Sequence, residues 1–359
     1  MSIQGLHHVT LIGSDAQRTV DFFAGALGLR LVKKTVDFDE PGCYHLYFGD
    51  GAGTPGTIVS CLEWPDAPAG HEGIGGTQHF ALLVEDRAGL LRWKRRLVDL
   101  GIPIDGPLDR HYFESIYFHD PDGALIEIAT RGPGWTRDEE PDRIGTEHRE
   151  PPPEMLKGNR DQARIEADTW PEPVPEITPA MRLRAGLHHV TAVAGDIERT
   201  HAFLNGVLGL RRVKRTSNFD RPSFFHWYWG VGDGRPGTVV TYFDRNSATD
   251  ARALIGPGQP HHYALAVEDD AALLDWRERL LAAGAAISPV IDRVYFRSIF
   301  TRDPDGQVVE LATRGPGFTV DEPAAALGQR LSLPHWLEPR RAGIERRLRP
   351  LAAPAWTAD

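Results

Sequence analysis

The hexapeptide GLHHVT occupies residues 5–10 of this chain and occurs again at residues 186–191. In the same register, LGLR and VKKTVDFD of the first half return as LGLR and VKRTSNFD in the second half. After a change of two residues in length, ATRGPG at 129–134 recurs at 312–317. Matches in this order indicate that about 130 residues are duplicated within the chain, and such a repeat determines the architecture.

Each half also contains two similar units. The alternating segment LHHVTLI predicts a strand, and VDFFAGALGL after Asp15 places its apolar residues on one helical face. YHLYFG and GTIVSCL predict further strands of this first unit. The second unit repeats the plan with HFALLV, a helix LLRWKRRLVDL that ends at Gly101, and then YFESIYF, DPDG and ALIEIAT. The sequence therefore predicts an α+β fold of four βαβββ modules in two duplicated halves.

The predicted modules define four regions of the chain. The modules are expected near residues 5–64, 77–134, 186–244 and 260–317. A first module pair, a linker, a second module pair and a tail then cover residues 1–135, 136–185, 186–317 and 318–359.

The linker and the tail are rich in proline and charge, and both could be unstructured. They are nevertheless related, because ARIEADTWP at 163–171 resembles AGIERRLRP at 342–350. Apolar residues of the tail recur at roughly helical spacing, at Leu333, Trp336, Leu337, Ile344 and Leu348. We therefore expect short helices in these two segments that strap each half.

Composition excludes several classes of protein. The net charge is -10, from 50 acidic and 40 basic residues, and no basic stripe suggests nucleic-acid binding. Cys43 and Cys61 form no C-x-x-C motif, so neither a disulfide framework nor a thiolate zinc site is expected. The amino terminus lacks an export signal, and the chain lacks an apolar run of about 18 residues. A cytoplasmic protein without a membrane span is expected.

Histidines and glutamates occupy equivalent positions in the repeats. Glu127 in LIEIA lies among apolar neighbours on a core-facing strand, and Glu310 in VVELA repeats it. A buried carboxylate is costly unless it is paired, protonated or bound to a metal. A lone strand histidine is more often a packing residue, but four histidines stand early in the first strand of their units: His8, His79, His189 and His262. Together the six residues predict metal ligation.

Two histidines and one carboxylate form a ligand set that suits iron(II) and leaves coordination positions open. Manganese(II) and zinc(II) remain alternatives on residue type alone. In the odd-numbered units, Ser60 and Thr241 stand where the even-numbered units have their glutamates. Four histidines and two glutamates can therefore build two three-ligand sites.

These motifs resemble the vicinal-oxygen-chelate superfamily, which includes glyoxalases, bleomycin resistance proteins and extradiol dioxygenases. GLHHVT, LGLRLVKKTVDFD, YHLYFGD, VELATRGPGF and the tail LGQRLSLPHWLEPRR resemble its ring-cleaving hydroquinone dioxygenases over nearly the whole chain apart from the linker. The resemblance implies that modules pair into two half-barrel metal sites, unit one with unit four and unit two with unit three. The residues alone leave sequential pairing open.

Carried onto this chain, the family's metal ligands are His8, His262 and Glu310. The neighbouring family positions correspond to His7, His261, Thr10, Arg293 and Phe300, and the last of these departs from the family's tyrosine. The second set is His189, His79 and Glu127, and its neighbours are His188, Thr191, Arg110, Tyr117 and Gln78, where Gln78 replaces a histidine. Paired histidines at both strands favour the His8 set as the working one.

The resemblance implies an iron(II) dioxygenase that uses O2 to open the ring of a hydroquinone or catechol. His7, His261, Arg293, Thr10, Tyr117, Arg110 and His188 are the candidate catalytic residues, with the histidines assisting proton transfer. The partners would be a small aromatic molecule and O2, not nucleic acid or a membrane, and self-association stays open.

Two other functions remain open. A glyoxalase-type isomerase would require a fourth protein ligand, for which Ser60 and Thr241 are poor substitutes. A metal-free binding protein would have no reason to keep six ligand-type residues in register. Measuring bound metal distinguishes these classes.

Overall fold

Each predicted module forms a strand, a helix and three further strands in the computed structural model, which describes residues 2–183 and 185–356. The first module comprises β1 (Gly5–Gly13), α1 (Ala16–Val20), β2 (Arg30–Val36), β3 (Tyr44–Gly49) and β4 (Ile58–Glu63). The second comprises β5 (Thr77–Val84), α2 (Arg87–Asp99), β6 (Asp105–Asp109), β7 (Glu114–His119) and β8 (Leu125–Thr130).

The second half repeats this order after a linker that contains β9 (His148–Arg149) and α3 (Gln162–Ala167). The third module comprises β10 (Leu187–Ala194), α4 (Ile197–His201), β11 (Arg211–Ser217), β12 (Phe225–Gly230) and β13 (Val239–Asp244). The fourth comprises β14 (Gln259–Val267), α5 (Asp270–Ala282), β15 (Ile291–Asp292), β16 (Phe296–Arg302) and β17 (Val308–Pro316), and the tail contains α6 (Arg341–Arg347).

Aspartates begin the helices of all four modules. Asp15 accepts a hydrogen bond from the backbone N–H of Arg18 at 2.9 Å, which satisfies a free donor of the first turn. The other three helices are capped in the same way by Asp86, Asp196 and Asp269. Helix α2 ends at Asp99, and the predicted stop residue Gly101 follows its cap Leu100 with a φ of +77°, in the left-handed region that favours glycine.

The modules pair across the two halves of the sequence. Strand β1 runs antiparallel to β14, with Thr10 opposite His262, and β10 runs antiparallel to β5, with Thr191 opposite His79. The first sheet therefore has the order β15-β16-β17-β14-β1-β4-β3-β2, and the second has the order β6-β7-β8-β5-β10-β13-β12-β11-β9. The pairing of unit one with four and unit two with three is confirmed.

The turns of the two DPDG motifs join the two sheets. Asp122 of the second module accepts hydrogen bonds from the backbone N–H and the hydroxyl of Ser14 in the first module, at 2.9 and 2.5 Å. Asp305 of the fourth module accepts one from the backbone N–H of Gly195 in the third, at 2.8 Å. Each sheet thus has an aspartate whose carboxylate accepts hydrogen bonds from the other sheet.

The linker and the tail occupy equivalent places on the two sheets. In the linker, β9 pairs with β11, and in the tail Leu331 bridges to Lys34 of β2. Helices α3 and α6 confirm that both segments contain short helices. Three of the tail's apolar residues join one buried cluster with Val36, namely Leu333, Leu337 and Ile344. Both segments therefore contact a sheet, and their role in strapping each half stays a prediction.

Alternation along the central strands separates the core from the sites. In β1, Val9 and Leu11 belong to the main apolar core, whereas His8 and Thr10 lie on the opposite face and line a cavity. All nine residues of β1 are buried, so its polar side chains are enclosed together with their partners. In the described part of the chain, no helix is both long and apolar enough to cross a membrane.

Candidate metal centres

The first centre joins modules one and four. It consists of His8 on β1, His262 on β14 and Glu310 on β17, all of them buried. Glu310 Oε2 lies 3.0 Å from His8 Nε2 and 2.9 Å from His262 Nε2, and the two imidazole nitrogens are 3.3 Å apart. The antiparallel β1–β14 register and the parallel β14–β17 pairing bring the three side chains to one point.

The second centre joins modules two and three. It consists of His79 on β5, His189 on β10 and Glu127 on β8, which are also buried. Glu127 Oε2 lies 3.0 Å from His79 Nε2 and 3.3 Å from His189 Nε2. The sequence-predicted ligand sets are therefore the two sets of side chains that the structure brings together.

Both centres fit a divalent metal ion. Three ligand atoms about 2.1 Å from one ion and at right angles to one another lie about 3.0 Å apart, close to the separations found here. Both carboxylate oxygens of Glu310 lack a well-formed hydrogen bond among the described residues, although Oε2 lies within reach of two imidazoles. Burial alone would raise the pKa of Glu310, but the two histidines hold it well below its ordinary value. A buried carboxylate in this state suits a cation.

The residue before each ligand histidine orients its ring. Three of these neighbours are histidines whose Nδ1 lies 2.7 to 2.8 Å from Nδ1 of the ligand, namely His7, His188 and His261. The fourth is Gln78, whose side-chain oxygen accepts from His79 Nδ1. In every case Nε2 of the ligand histidine is left to face the centre, as metal binding requires.

The environment of the neighbouring histidines favours an orienting role over proton transfer. His7 uses both ring nitrogens, because its Nε2 lies 3.1 Å from the carbonyl oxygen of Thr313. Burial and the adjacent ligand histidine lower the pKa of His7, His188 and His261 to about 3, so these rings stay neutral near pH 7. Of these three histidines, His261 lines the cavity at its centre, and His7 and His188 do not line the cavities at theirs. Their part in proton transfer stays a prediction.

Replacing Gln78 with leucine is expected to weaken metal binding at the second centre by about 10 to 100-fold, because His79 would lose the acceptor that orients it. Metal content under competition with a chelator measures this affinity. Gln78→His, which restores the arrangement found at His261, should retain tight binding. Equal affinity in Gln78→Leu and the unmodified protein would contradict an orienting role.

In the odd-numbered modules, hydroxyl groups occupy the positions from which a fourth metal ligand would come. Thr10 and Ser60 have their hydroxyls 2.8 Å apart, and Thr10 Oγ1 lies 3.0 Å from His262 Nε2. At the second centre, Thr241 donates to Thr191 at 2.9 Å. At the positions equivalent to Glu127 and Glu310, the odd-numbered modules therefore offer hydroxyl groups and no carboxylate.

The structure adds two histidines that sequence reasoning missed, one half-buried (His45) and one buried (His226). His45 on β3 and His226 on β12 line the two cavities, and His226 Nε2 lies 2.9 Å from Thr241 Oγ1. Their Nδ1 atoms lie near the hydroxyls of Tyr47 and Tyr228, at 3.2 and 2.9 Å. Burial holds the pKa of both histidines well below its ordinary value. Their equivalent positions in YHLYFG and FHWYWG are the feature of the sequence that could have identified them.

The two centres open into cavities of different size. The cavity at the second centre measures about 480 Å³, and the cavity at the first measures about 170 Å³. Pockets for small molecules usually have volumes of about 300 to 1,000 Å³. The second cavity falls in this range and the first falls below it.

Arg110 and Tyr117 form a network at the second centre. Arg110 Nε donates to the Tyr117 hydroxyl at 3.1 Å, and its terminal nitrogens reach the Asp220 carboxylate at 3.3 and 3.4 Å. Arg160 from the linker approaches the same carboxylate at 2.7 Å. Asp220 is thus a positioning residue that sequence reasoning missed, because its partners are distant in sequence.

The corresponding residues of the first centre form no such network. Arg293 lies over the ring of Phe300, 5.7 Å from its centroid, and has no hydrogen bond or ion pair with another described side chain. Phe300 stands beside His262 as Tyr117 stands beside His79, with ring centroids 5.3 and 5.9 Å apart. The two centres therefore share their ligands and differ in what surrounds them.

Paired βαβββ modules around two-histidine, one-glutamate centres define a class of metalloprotein fold, and comparison with known proteins agrees. The model of the Glyoxalase/Bleomycin resistance protein/Dioxygenase superfamily matches residues 5–128 and 186–311. The chain belongs to this superfamily.

Within the superfamily, several relatives match the chain over nearly its full length. "Putative ring-cleaving dioxygenase MhqO" of Bacillus subtilis is 33% identical over 96% of each chain. The chlorohydroquinone/hydroquinone 1,2-dioxygenase of Sphingobium indicum is 30% identical over 94% of this chain and 93% of its own. A crystal structure of a Bacillus subtilis protein described as a putative dioxygenase superposes with a TM-score of 0.78 at 31% identity, covering 98% of this chain and 99% of that one. Glyoxalase I of Zea mays, at 18% identity and a TM-score of 0.58 over 86% of this chain and 92% of its own, shares the fold.

Proposed function

We propose that this protein is an iron(II)-dependent dioxygenase that uses O2 to cleave the ring of a hydroquinone or catechol. The names of its full-length relatives support the reaction, and that of the Sphingobium indicum enzyme supports the substrate class. The free cysteines Cys43 and Cys61 are consistent with the cytoplasmic location that we propose for it.

The observation that carries the proposal is the three-ligand set without a fourth protein ligand. Ser60 and Thr241 occupy the positions from which an isomerase of this fold would need a carboxylate, and both are engaged in hydroxyl contacts. A facial set of two histidines and a carboxylate leaves room for both a chelating diol and O2. A glyoxalase-type isomerase has less support for this reason.

Side chains of the second cavity would bind the aromatic ring and one of its oxygen atoms, beside the metal ion. When bound, iron(II) supplies the redox and Lewis-acid chemistry of oxygen-dependent ring cleavage. Phe113 and Phe243 line the second cavity, where they offer apolar surface to an aromatic ring and exclude water. Tyr117 accepts from Arg110 and keeps its own proton, because burial raises the pKa of its phenol. It can therefore donate a hydrogen bond to a substrate oxygen.

Oxygen consumption by the metal-loaded protein tests the proposal. The full chain is purified without oxygen, loaded with iron(II), manganese(II) or zinc(II), and assayed for metal content and for O2 uptake with chlorohydroquinone and with catechol. We expect iron-dependent uptake of one O2 per ring with both substrates and, with catechol, a product heavier by two oxygen atoms.

Controls separate the rival functions. Glu127→Gln/Glu310→Gln should lose both metals and all O2 uptake. Protein that binds no metal after anaerobic loading would overturn the proposal in favour of a metal-free binding protein. Turnover of a glutathione hemithioacetal without O2 uptake would instead identify an isomerase.

Tyr117→Phe is expected to lower kcat/KM by about 10 to 100-fold while both metals stay bound, because the hydroxyl contacts Arg110 and not a ligand histidine. Steady-state O2 uptake measures the loss, and metal analysis with thermal unfolding serves as its control. A parallel loss of metal would show that Tyr117 supports the centre itself.

A further inference from the structure

We propose that the aromatic ring binds only at the second centre, and that Trp64 closes the first centre against it. The proposal rests on the proposed function and specifies which of the two ligand sets receives the substrate. The first centre then holds metal without admitting a ring. This reverses the expectation from the paired histidines at His8 and His262.

Trp64 and Arg245 stand at equivalent positions of modules one and three, directly after β4 and β13. The Trp64 ring lies edge-on to His261, with centroids 5.8 Å apart, and lines the smaller cavity. Arg245 also lines its cavity, the larger one, but its guanidinium lies over the ring of Phe224, 5.6 Å from the ring centroid. The position equivalent to Phe224 in the first module is Cys43, which offers no such ring. At the first centre an indole thus packs against His261 beside a cavity of about 170 Å³, whereas at the second centre the equivalent guanidinium packs on Phe224 beside a cavity of about 480 Å³.

A second pair of equivalent aromatic residues also favours binding of the ring at the second centre. Phe219 lines the larger cavity and lies 5.7 Å from the Arg110 guanidinium. Its counterpart Phe38 packs edge-on against Trp336 of the tail, with centroids 5.6 Å apart, and does not line the smaller cavity. Equivalent aromatic residues thus have different partners at the two centres, Trp336 of the tail for Phe38 and Arg110 for Phe219.

Polar groups at the second centre are also held in place for a ligand. Arg110 is held by Asp220, which Arg160 holds in turn, so that the Tyr117 hydroxyl is fixed toward the cavity. A preorganised donor loses little conformational freedom when a substrate binds. At the first centre, Phe300 offers no hydroxyl and Arg293 has no comparable support.

Anaerobic titration with 4-nitrocatechol, whose absorption changes when it chelates a metal, counts the rings that bind. The full chain loaded with two iron(II) ions should bind one ring per chain. Glu127→Gln should retain one metal and bind no ring. Glu127→Gln/Trp64→Ala should again bind one ring, at the opened first centre, while the matched control Glu127→Gln/Arg245→Ala should bind none.

Two rings per unmodified chain, or one ring retained by Glu127→Gln, would overturn the proposal. Lack of binding by Glu127→Gln/Trp64→Ala with its one metal in place would show that Trp64 is not the closure and would overturn that part. These outcomes are independent of catalysis. Ring binding without O2 uptake would refute the proposed function alone, whereas O2 uptake with two bound rings would refute only this inference.

Discussion

Glu127→Gln is expected to reduce turnover by about 1000-fold, since a metal at the reacting centre contributes several kcal/mol and each 1.36 kcal/mol is tenfold in rate. Glutamine keeps the shape of the side chain but removes the charge that faces His79 and His189 at 3.0 and 3.3 Å. Metal analysis should find one ion per chain instead of two. Steady-state O2 uptake with chlorohydroquinone measures the loss of turnover.

Glu310→Gln is the matched variant, because Glu310 has the same role at the first centre. It should also lose one metal, but its turnover should fall by less than tenfold, about 1.4 kcal/mol at most. Equal losses in the two variants would show that both centres turn over. The reverse order would mean that the small cavity beside Trp64 opens in solution to receive the ring.

Lys214→Met is expected to destabilise the folded chain by about 3 to 5 kcal/mol, the usual cost of leaving one partner of a buried ion pair without the other. Lys214 is fully buried and lies 2.6 Å from Glu139 Oε2 and 2.7 Å from Asp138 Oδ1, which ties the start of the linker to β11. Its counterpart Lys33 contacts Glu322 and Asp321 of the tail in the same way. The midpoint of urea unfolding measures the loss.

Two controls identify the cause of that loss. Lys214→Met/Glu139→Gln removes both charges, keeps an acceptor for the backbone N–H of Gly145, and should recover most of the stability. Arg131→Ala breaks the exposed pair with Glu85 and should cost less than about 1 kcal/mol. A double variant as unstable as Lys214→Met would mean that the lysine stabilises the protein through packing instead of charge.

Repetition made much of the molecule predictable from sequence. The strand, helix and strand order of the modules follows from local periodicity, which depends on neighbouring residues only. The repeats also identified the six candidate ligand residues. His8 and His189 recur at equivalent positions, and so do Glu127 and Glu310. His45 and His226 satisfied the same criterion and were missed, since each lies in an ordinary alternating strand and no carboxylate marks its neighbourhood.

Properties that depend on several distant segments were not predictable from the pattern. A linker of about 50 residues can span either module pairing, because the entropy of closing a loop changes slowly with its length. The registers of β1 on β14 and of β5 on β10 decide which histidines meet. The position of Asp220 between Arg110 and Arg160 likewise requires three elements to be in place.

The sequence by itself determined the class of fold, the number of modules and the six candidate ligand residues, because these follow from local periodicity and from the repeats. The tertiary structure decided which modules share a sheet and how much space each centre has. Cavity volume depends on where side chains from separate strands, the linker and the tail point relative to one another. Trp64 and Arg245 occupy equivalent positions of the repeats, and only the structure shows that the first packs against His261 and the second against Phe224.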